Sequence, residues 1–219
     1  ISVFGNYMNG FQNLAPVNQP DGSQLILDPL YANQYEAGVK AELFNKKLSA
    51  TFSYYNITND NAVIRQADLV YQQDGKQVSK GVEFELIANP IAGFNITAGY
   101  AYNDNRIVKT SDANKAIEGN KAQDAPANVI NFWASYKFQN VLKGFGIGAG
   151  ANYVDKSYMT TANTFYIPSY TLFNQTVFYE QANWRIGIKL NNITNEKYWS
   201  SWGAPQPPAN FLVNLAFKF

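Results

Sequence analysis

From Tyr35 to Leu43 the chain alternates, with Tyr35, Ala37, Val39, Ala41 and Leu43 on one parity and Glu36, Gly38, Lys40 and Glu42 on the other. A period of two marks an extended strand whose faces meet different surroundings. The pattern recurs along the chain. Val82, Phe84 and Leu86 interleave with Glu83 and Glu85, and Ile96, Ala98, Tyr100 and Tyr102 with Asn95, Thr97, Gly99 and Ala101. Phe132, Ala134, Tyr136 and Phe138 alternate with Trp133, Ser135 and Lys137, and Ile147, Ala149, Ala151 and Tyr153 with Gly146, Gly148, Gly150 and Asn152. Ile186, Ile188 and Leu190 alternate with Arg185, Gly187 and Lys189. The chain ends FLVNLAFKF, with Phe211, Val213, Leu215, Phe217 and Phe219 set against Leu212, Asn214, Ala216 and Lys218. Over 1–10 and 166–180 both parities are apolar, so the pattern assigns no face there.

Helical periodicity is nearly absent. The alternation predicts about ten strands, near 1–10, 33–45, 47–58, 78–89, 94–106, 127–138, 144–156, 166–180, 183–197 and 209–219. Each is near or above the ~9–11 residues that a tilted strand needs to cross a bilayer, against ~5–6 for an average strand. Their connections sort by length. Tight ones fall at Asn45-Lys46-Lys47, Asn89 to Gly93, Asn140 to Lys143 and Gln181-Ala182-Asn183; long polar ones fall at 11–32, 59–77, 107–126, 157–165 and 198–208. Tight turns can join only antiparallel neighbours. Their strict alternation with long loops is the signature of an outer-membrane barrel, with short periplasmic turns and long extracellular loops. The predicted fold is all-β, a transmembrane antiparallel up-and-down β-barrel with apolar side chains outward and polar ones lining the lumen. Tyr54, Tyr55, Tyr100, Tyr102, Tyr153, Tyr158, Tyr198 and Trp199 gather near strand ends, as an aromatic girdle requires.

Composition narrows the function. The 219 residues carry a net charge of +1, no His and no Cys, with 15 Tyr, 15 Phe and 4 Trp. Near-neutrality argues against a nucleic-acid surface. The absence of His removes Ser-His and Cys-His catalytic pairs and the commonest zinc ligand, so an enzyme is disfavoured. The opening Ile1-Ser2-Val3-Phe4 has no signal-peptide pattern, and no apolar run reaches the ~18 residues of a helical span. No phosphate loop, Cys cluster or EF-hand spacing occurs, and no cofactor or metal site is implied. Asp21-Gly22 and Asp74-Gly75 read as turns. Asp104, Asp112, Glu118 and Asp124 are spaced as a solvated acidic loop rather than as calcium ligands. The inward charges Glu36, Lys40, Glu42, Glu83, Glu85, Lys137, Arg185, Lys189 and Lys218 are expected to pair across neighbouring strands rather than form a ligand track.

Several stretches resemble the C-terminal part of TonB-dependent outer-membrane receptors, in particular the ferric-siderophore branch. They are QYEAGVKAELFNKKLSATFSYYNIT (34–58), SKGVEFELIANPIAGFNITAGYAYND (79–104), DAPANVINFWASYKF (124–138), YIPSYTLFNQTVFY and WRIGIKLNNITNEKYW (166–199), with LNNITNEKY the most specific. The resemblance implies a barrel of about 22 strands closed by an N-terminal plug. Residues 1–219 would supply about ten C-terminal strands, with the plug domain and TonB contact segment not present in this chain. It further implies TonB-dependent uptake of a ferric siderophore or a similar scarce nutrient across the bacterial outer membrane. The implied partners are outer-membrane lipid, TonB through the plug, and the barrel assembly machinery. A passive porin or small structural barrel is the alternative. Loop residues suited to an anionic, partly aromatic iron chelate are Tyr31, Arg106, Tyr158, Phe165, Trp199 and Trp202. In the family the terminal aromatic strand is an assembly signal, which here maps to Phe211, Val213, Leu215, Phe217 and Phe219. One departure stands out: where the family often shows Gly-x-Pro-Arg, this chain has Gly203-Ala204-Pro205-Gln206.

Overall fold

Backbone conformation at the tight turns sets the topology. Phe44, Asn45 and Lys46 all take positive φ (53°, 55° and 67°) and reverse the chain within a few residues. A glycine with φ 84° does the same at Gly93. A computed structural model describes residues 1–65 and 71–218. Its strands are β1 (Ser2–Gln12), β2 (Val17–Asn18), β3 (Gln24–Leu25), β4 (Leu30–Leu43), β5 (Leu48–Arg65), β6 (Tyr71–Ala88), β7 (Phe94–Lys109), β8 (Asn128–Lys137), β9 (Phe145–Val154), β10 (Ser157–Tyr158), β11 (Tyr166–Ile167), β12 (Tyr170–Glu180), β13 (Trp184–Asn191) and β14 (Asn210–Phe217). Ten of them make one sheet in the order β1-β4-β5-β6-β7-β8-β9-β12-β13-β14, so each long strand pairs with the next one along the chain. The other four form the small hairpins β2–β3 and β10–β11. Strands β1 and β14 are the edges of the sheet.

Register turns the alternation into a surface. Val39 lies opposite Phe52, Phe52 opposite Phe84, Phe84 opposite Tyr100, and Tyr100 opposite Ile130. Trp184, Ile186, Ile188 and Leu190 face Phe217, Leu215, Val213 and Phe211. The two strands without a sequence-assigned face now have one. Val3 and Tyr7 oppose Val39 and Tyr35 on the apolar side, and Phe173, Val177 and Tyr179 of β12 join the same side. Phe4 and Phe178 fall on the polar side.

Burial decides what the apolar face meets. Among the described residues the buried hydrophobic set is only Ala88, Ile107, Ala122 and Ile167, and no large side chain is fully buried. A soluble sheet with so much apolar surface would pack it against a second layer. Here Phe52, Phe132, Ile147, Val177, Ile188 and Leu215 all stay exposed, the arrangement of a wall in lipid. Aromatic rings gather near the tight-turn end: Phe94, Tyr136 and Phe138 in one chain of contacts (6.3 and 5.1 Å), Phe145, Tyr179 and Trp184 in another (4.6 and 5.5 Å). Tyr7 and Tyr35 contact each other at 4.9 Å towards the long-loop end.

The polar face is knitted by side-chain bonds between strands. Asn152 donates to Asn131 at 2.6 Å, Asn174 to Asn152 at 3.1 Å, and the Asn192 N–H to Asn174 at 3.0 Å. Ser79 donates to Asn103 at 2.8 Å and Gln77 to Asn105 at 2.7 Å. Gly146 makes room for the Phe178 ring, which a Cβ there would overlap. The Arg185 guanidinium lies 4.2 Å from the centroid of the same ring.

Three sequence expectations need correction. The stretch 59–77 is not a long loop: β5 and β6 continue as a paired ladder to Arg65 and from Tyr71, beyond the apolar band. Asn59-Asp60-Asn61 is polar on both parities and Ala62-Val63-Ile64 apolar on both, so the period vanishes while the strand does not. Residues 66–70 of that stretch lie outside the described residues. Asp74-Gly75 is accordingly no turn, since Gly75 sits in β6 opposite Ala62, where Asn61 (φ 62°) adds a bulge. Strand β13 stops at Asn191 instead of 197, because Asn192 and Asn195 take positive φ (51° and 53°) and fold LNNITNEKY into a turn. The Asn192 side chain, 2% exposed, closes that turn by accepting from the Glu196 N–H at 2.8 Å and donating to its carbonyl at 2.9 Å.

Candidate functional site

The long loops gather at one end of the sheet, and polar side chains that imitate backbone tie them together. In the segment after β1, the Gln19 amide holds both the N–H and the carbonyl of Tyr71, each at 2.9 Å. Gln73 treats Asp28 in the same way, at 2.7 and 2.6 Å. Asp21-Gly22 is a turn, with the Asp21 carboxylate accepting from the Ser23 N–H and hydroxyl, which holds its pKa below the usual range.

After β7 the chain makes a 3-10 turn, Asp112–Ile117, then runs back beside β7. Ile107 donates to Asn120 at 3.0 Å and Ala122 to Asn105 at 2.9 Å. This returning segment is joined to the β10–β11 hairpin. Asn163 accepts from the Lys121 N–H and donates to the Lys121 carbonyl, both at 2.9 Å. The Asn120 amide reaches the Thr161 carbonyl at 3.0 Å, and the Asp124 N–H donates to the Tyr158 carbonyl at 3.0 Å. The loop after β13 completes the group. Tyr198 contacts Tyr170 at 4.8 Å, and a Cβ on Gly203 would lie 3.2 Å from the Met159 side chain.

These contacts sort the candidate residues. Tyr158 lies in β10 opposite Tyr166, with the Lys156 ammonium 6.0 and 5.5 Å from the two ring centroids. Phe165 on the same hairpin is 68% exposed, and Trp202 on the adjoining loop is 80% exposed. Trp199 is half-buried and bridges to Pro205. Arg106 is engaged within the fold, its guanidinium donating to Asp104 and to the Gly119 carbonyl, each at 2.8 Å. Tyr31 stands apart on β4, between Phe11 and Asp60. The structure thus brings Tyr158, Phe165, Trp199 and Trp202 into joined loops, connects Arg106 through the backbone, and leaves Tyr31 elsewhere. Lys156 and Tyr166 belong to this cluster although sequence reading passed over them. Their only sequence signal is proximity to Tyr158 and Phe165.

Two of the four acidic loop residues, Asp104 and Glu118, are engaged with cations. Asp104 pairs with Arg106 at 2.8 Å, and Lys115 bonds Glu118 at 2.8 Å. The Lys115 bond and then the Thr110 N–H hold the Glu118 carboxyl below its usual pKa. Among the described residues no group of three or more such side chains is poised to hold a metal.

The charged set on the polar face pairs only in part. Glu180 of β12 takes Lys137 of β8 at 3.1 Å and Lys218, just past β14, at 3.8 Å, so each pair reaches over an intervening strand, β9 or β13, instead of joining immediate neighbours as expected. Glu36, Glu83 and Glu85 make no ion pair among the described residues, and the Lys40 ammonium lies 5.4 Å from the Phe4 ring centroid. With Thr51, Ser53 and Asn6 they line an open polar hollow of about 420 Å³. Of the terminal strand, Phe211, Val213, Leu215 and Phe217 lie on the apolar face, while Phe219 lies outside the described residues.

Similarity to known proteins agrees with this architecture. The pattern of the family described as TonB dependent receptor-like, beta-barrel matches residues 1–193. The ferrioxamine receptor of Yersinia enterocolitica is 31% identical over 216 residues, which cover 90% of this chain and 29% of that protein. The ferrichrome outer membrane transporter/phage receptor of Escherichia coli K12 is 28% identical over 235 residues, covering 100% of this chain and 30% of that protein. The crystal structure of the siderophore receptor PiuA from Acinetobacter baumannii superposes with a TM-score of 0.80 at 21% identity, over 99% of this chain and 34% of that one. The chain therefore spans about a third or less of the length of each of these relatives. Its two-faced antiparallel strands are those of an outer-membrane β-barrel, and the chain belongs to the TonB-dependent receptor-like β-barrel family.

Proposed function

We propose that these strands form the C-terminal wall of a receptor that binds a ferric siderophore at its outer loops and imports it with energy delivered through TonB. The observation that carries this reading is coverage. The family pattern spans residues 1–193, and relatives named as ferrioxamine and ferrichrome receptors align over 90% and 100% of the chain. Further strands would pair with the edges β1 and β14, since an unpaired edge in lipid leaves backbone groups without partners. A plug domain ahead of the barrel would contact TonB. The terminal strand, with Phe219 at its end, would be read by the barrel assembly machinery.

The loop cluster supports the ligand class. Tyr158, Tyr166, Phe165 and Trp202 offer aromatic faces and Lys156 a positive charge, which suit an anionic iron chelate. Arg106, Trp199 and Tyr31 are assigned lesser parts, Arg106 because both of its contacts serve the loop itself. Uptake of radioiron from hydroxamate and pyoverdine-type chelates tests the proposal in cells with and without the intact protein. Import should require the protein and an energised inner membrane, and a Tyr158→Ala/Phe165→Ala/Trp202→Ala variant present at normal surface levels should bind at least tenfold more weakly. Iron accumulation that ignores the protein would refute the function, and uptake that persists without inner-membrane energy would indicate a passive pore.

A further inference from the structure

The tight turns carry charge of one sign. The segments 44–47, 89–93, 139–144 and 181–183 contain Lys46, Lys47 and Lys143 and no carboxylate. All three lysines are exposed and make no ion pair with any described residue. The carboxylates at this end of the sheet are occupied or turned away. Glu180 holds Lys137 and Lys218, and Glu42 lies opposite Ser49 on the polar face.

Each lysine-bearing turn also has an apolar tip. Phe44, beside Lys46 and Lys47, is 74% exposed, and Val141, two residues before Lys143, is 100% exposed. The first of these turns is strained. Phe44, Asn45 and Lys46 all take left-handed φ, which asparagine tolerates and phenylalanine and lysine do not favour. Glycine would relieve the strain, but it would supply neither the ring nor the charge. The Lys47 N–H closes the turn on the Phe44 carbonyl at 3.2 Å, while those of Asn45 and Lys46 have no partner among the described residues.

We propose that these two turns bind the headgroups of anionic phospholipid in the inner leaflet of the outer membrane. Placement and chemistry select this occupant. The first turn follows directly on Leu43 opposite Leu48, the last lipid-facing pair of its hairpin. The second follows Phe138 and Phe145, whose backbones are joined at 2.9 Å. Both therefore stand where acyl chains give way to headgroups, and in outer-membrane barrels the tight turns lie on the periplasmic side. An apolar side chain beside cations is the composition of an interfacial anchor: the ring enters the acyl boundary and the ammoniums stay at phosphate level. Around Phe44 the free N–H groups add donors for the same phosphate. A zwitterionic headgroup brings its own cation to the site and is held less tightly. Four strand spacings, roughly 19 Å, separate the two turns, so each holds its own lipid.

Photochemical capture in outer membranes holding the intact protein tests the first turn. Phe44→p-benzoylphenylalanine keeps the ring and adds a group that joins to whatever C–H lies against it under illumination. Phospholipid adducts should form, with anionic species over-represented at least about fivefold relative to their share of the membrane's phospholipid. Adding Lys46→Gln and Lys47→Gln, exposed substitutions outside the strand ladder, should return the adducts to the bulk composition. Three results would overturn the proposal: adducts that follow the bulk composition from the start, an enrichment that survives both glutamines, or capture of lipopolysaccharide or protein with no phospholipid adduct.

Discussion

Replacing Phe132 by arginine puts a guanidinium in the middle of the lipid-facing wall. Phe132 is the fifth of the ten residues of β8, 46% exposed, with Ala98 and Ala151 opposite it on the neighbouring strands. Both neighbours are small and apolar, so the charge finds no partner across the sheet. An arginine at the bilayer midplane of such a barrel costs about 2–4 kcal/mol. That corresponds to roughly 30- to 700-fold in the folding equilibrium. Phe132→Ala serves as the reference, since subtracting it removes the lost ring and leaves the cost of the charge. The adjacent Asn131 points to the polar face and bonds Asn152 at 2.6 Å. Asn131→Arg compared with Asn131→Ala should therefore differ by no more than about 1 kcal/mol, because the lumen stays wet. Urea-dependent folding of the intact barrel into phospholipid vesicles reads both differences. Equal costs at the two sites, or a larger one at Asn131, would show that the faces are assigned the wrong way round.

Two further outcomes test the loops and the terminal strand. Asn163→Ala removes the two bonds to the Lys121 backbone, together worth about 1–3 kcal/mol, so the Lys121 amide should exchange roughly five- to a hundredfold faster; unchanged protection would mean that the two loops are not held together there. Deleting Phe219 should reduce the protein present in the outer membrane while leaving ligand affinity intact in the molecules that reach it, and normal surface levels would count against the assembly role of the strand.

Local chemistry made much of this wall legible. Alternation at Tyr35 to Leu43 or at Phe132 to Phe138 identifies a strand and its two faces, since successive side chains point opposite ways wherever the chain is extended. Alternation failed in the outer parts of β5 and β6, where polar and apolar residues come in runs such as Asn59-Asp60-Asn61 and Ala62-Val63-Ile64 and leave no period of two to detect. It was also silent where both faces are apolar. The ring of Phe178 covers Gly146, a contact known only once β9 and β12 are set side by side. The candidate site was legible in residue type and not in placement. Arg106 looks like a free cation until Asp104 and the Gly119 carbonyl are seen to engage it.

By itself, then, the sequence determined the strand class, the antiparallel order, the segregation of tight turns from long loops, and which parity of most strands is apolar. Each of these follows from neighbours along the chain. Only the tertiary structure decided what lies opposite what. It placed Glu36, Glu83 and Glu85 without ion partners among the described residues, joined Lys121 to Asn163 across 42 residues, and set Gln175 opposite Ala149 in a row with Ala134. Register is a relation between distant segments, and a repeat of two is the same at every even shift along a strand, so the pattern that names the faces cannot name their neighbours.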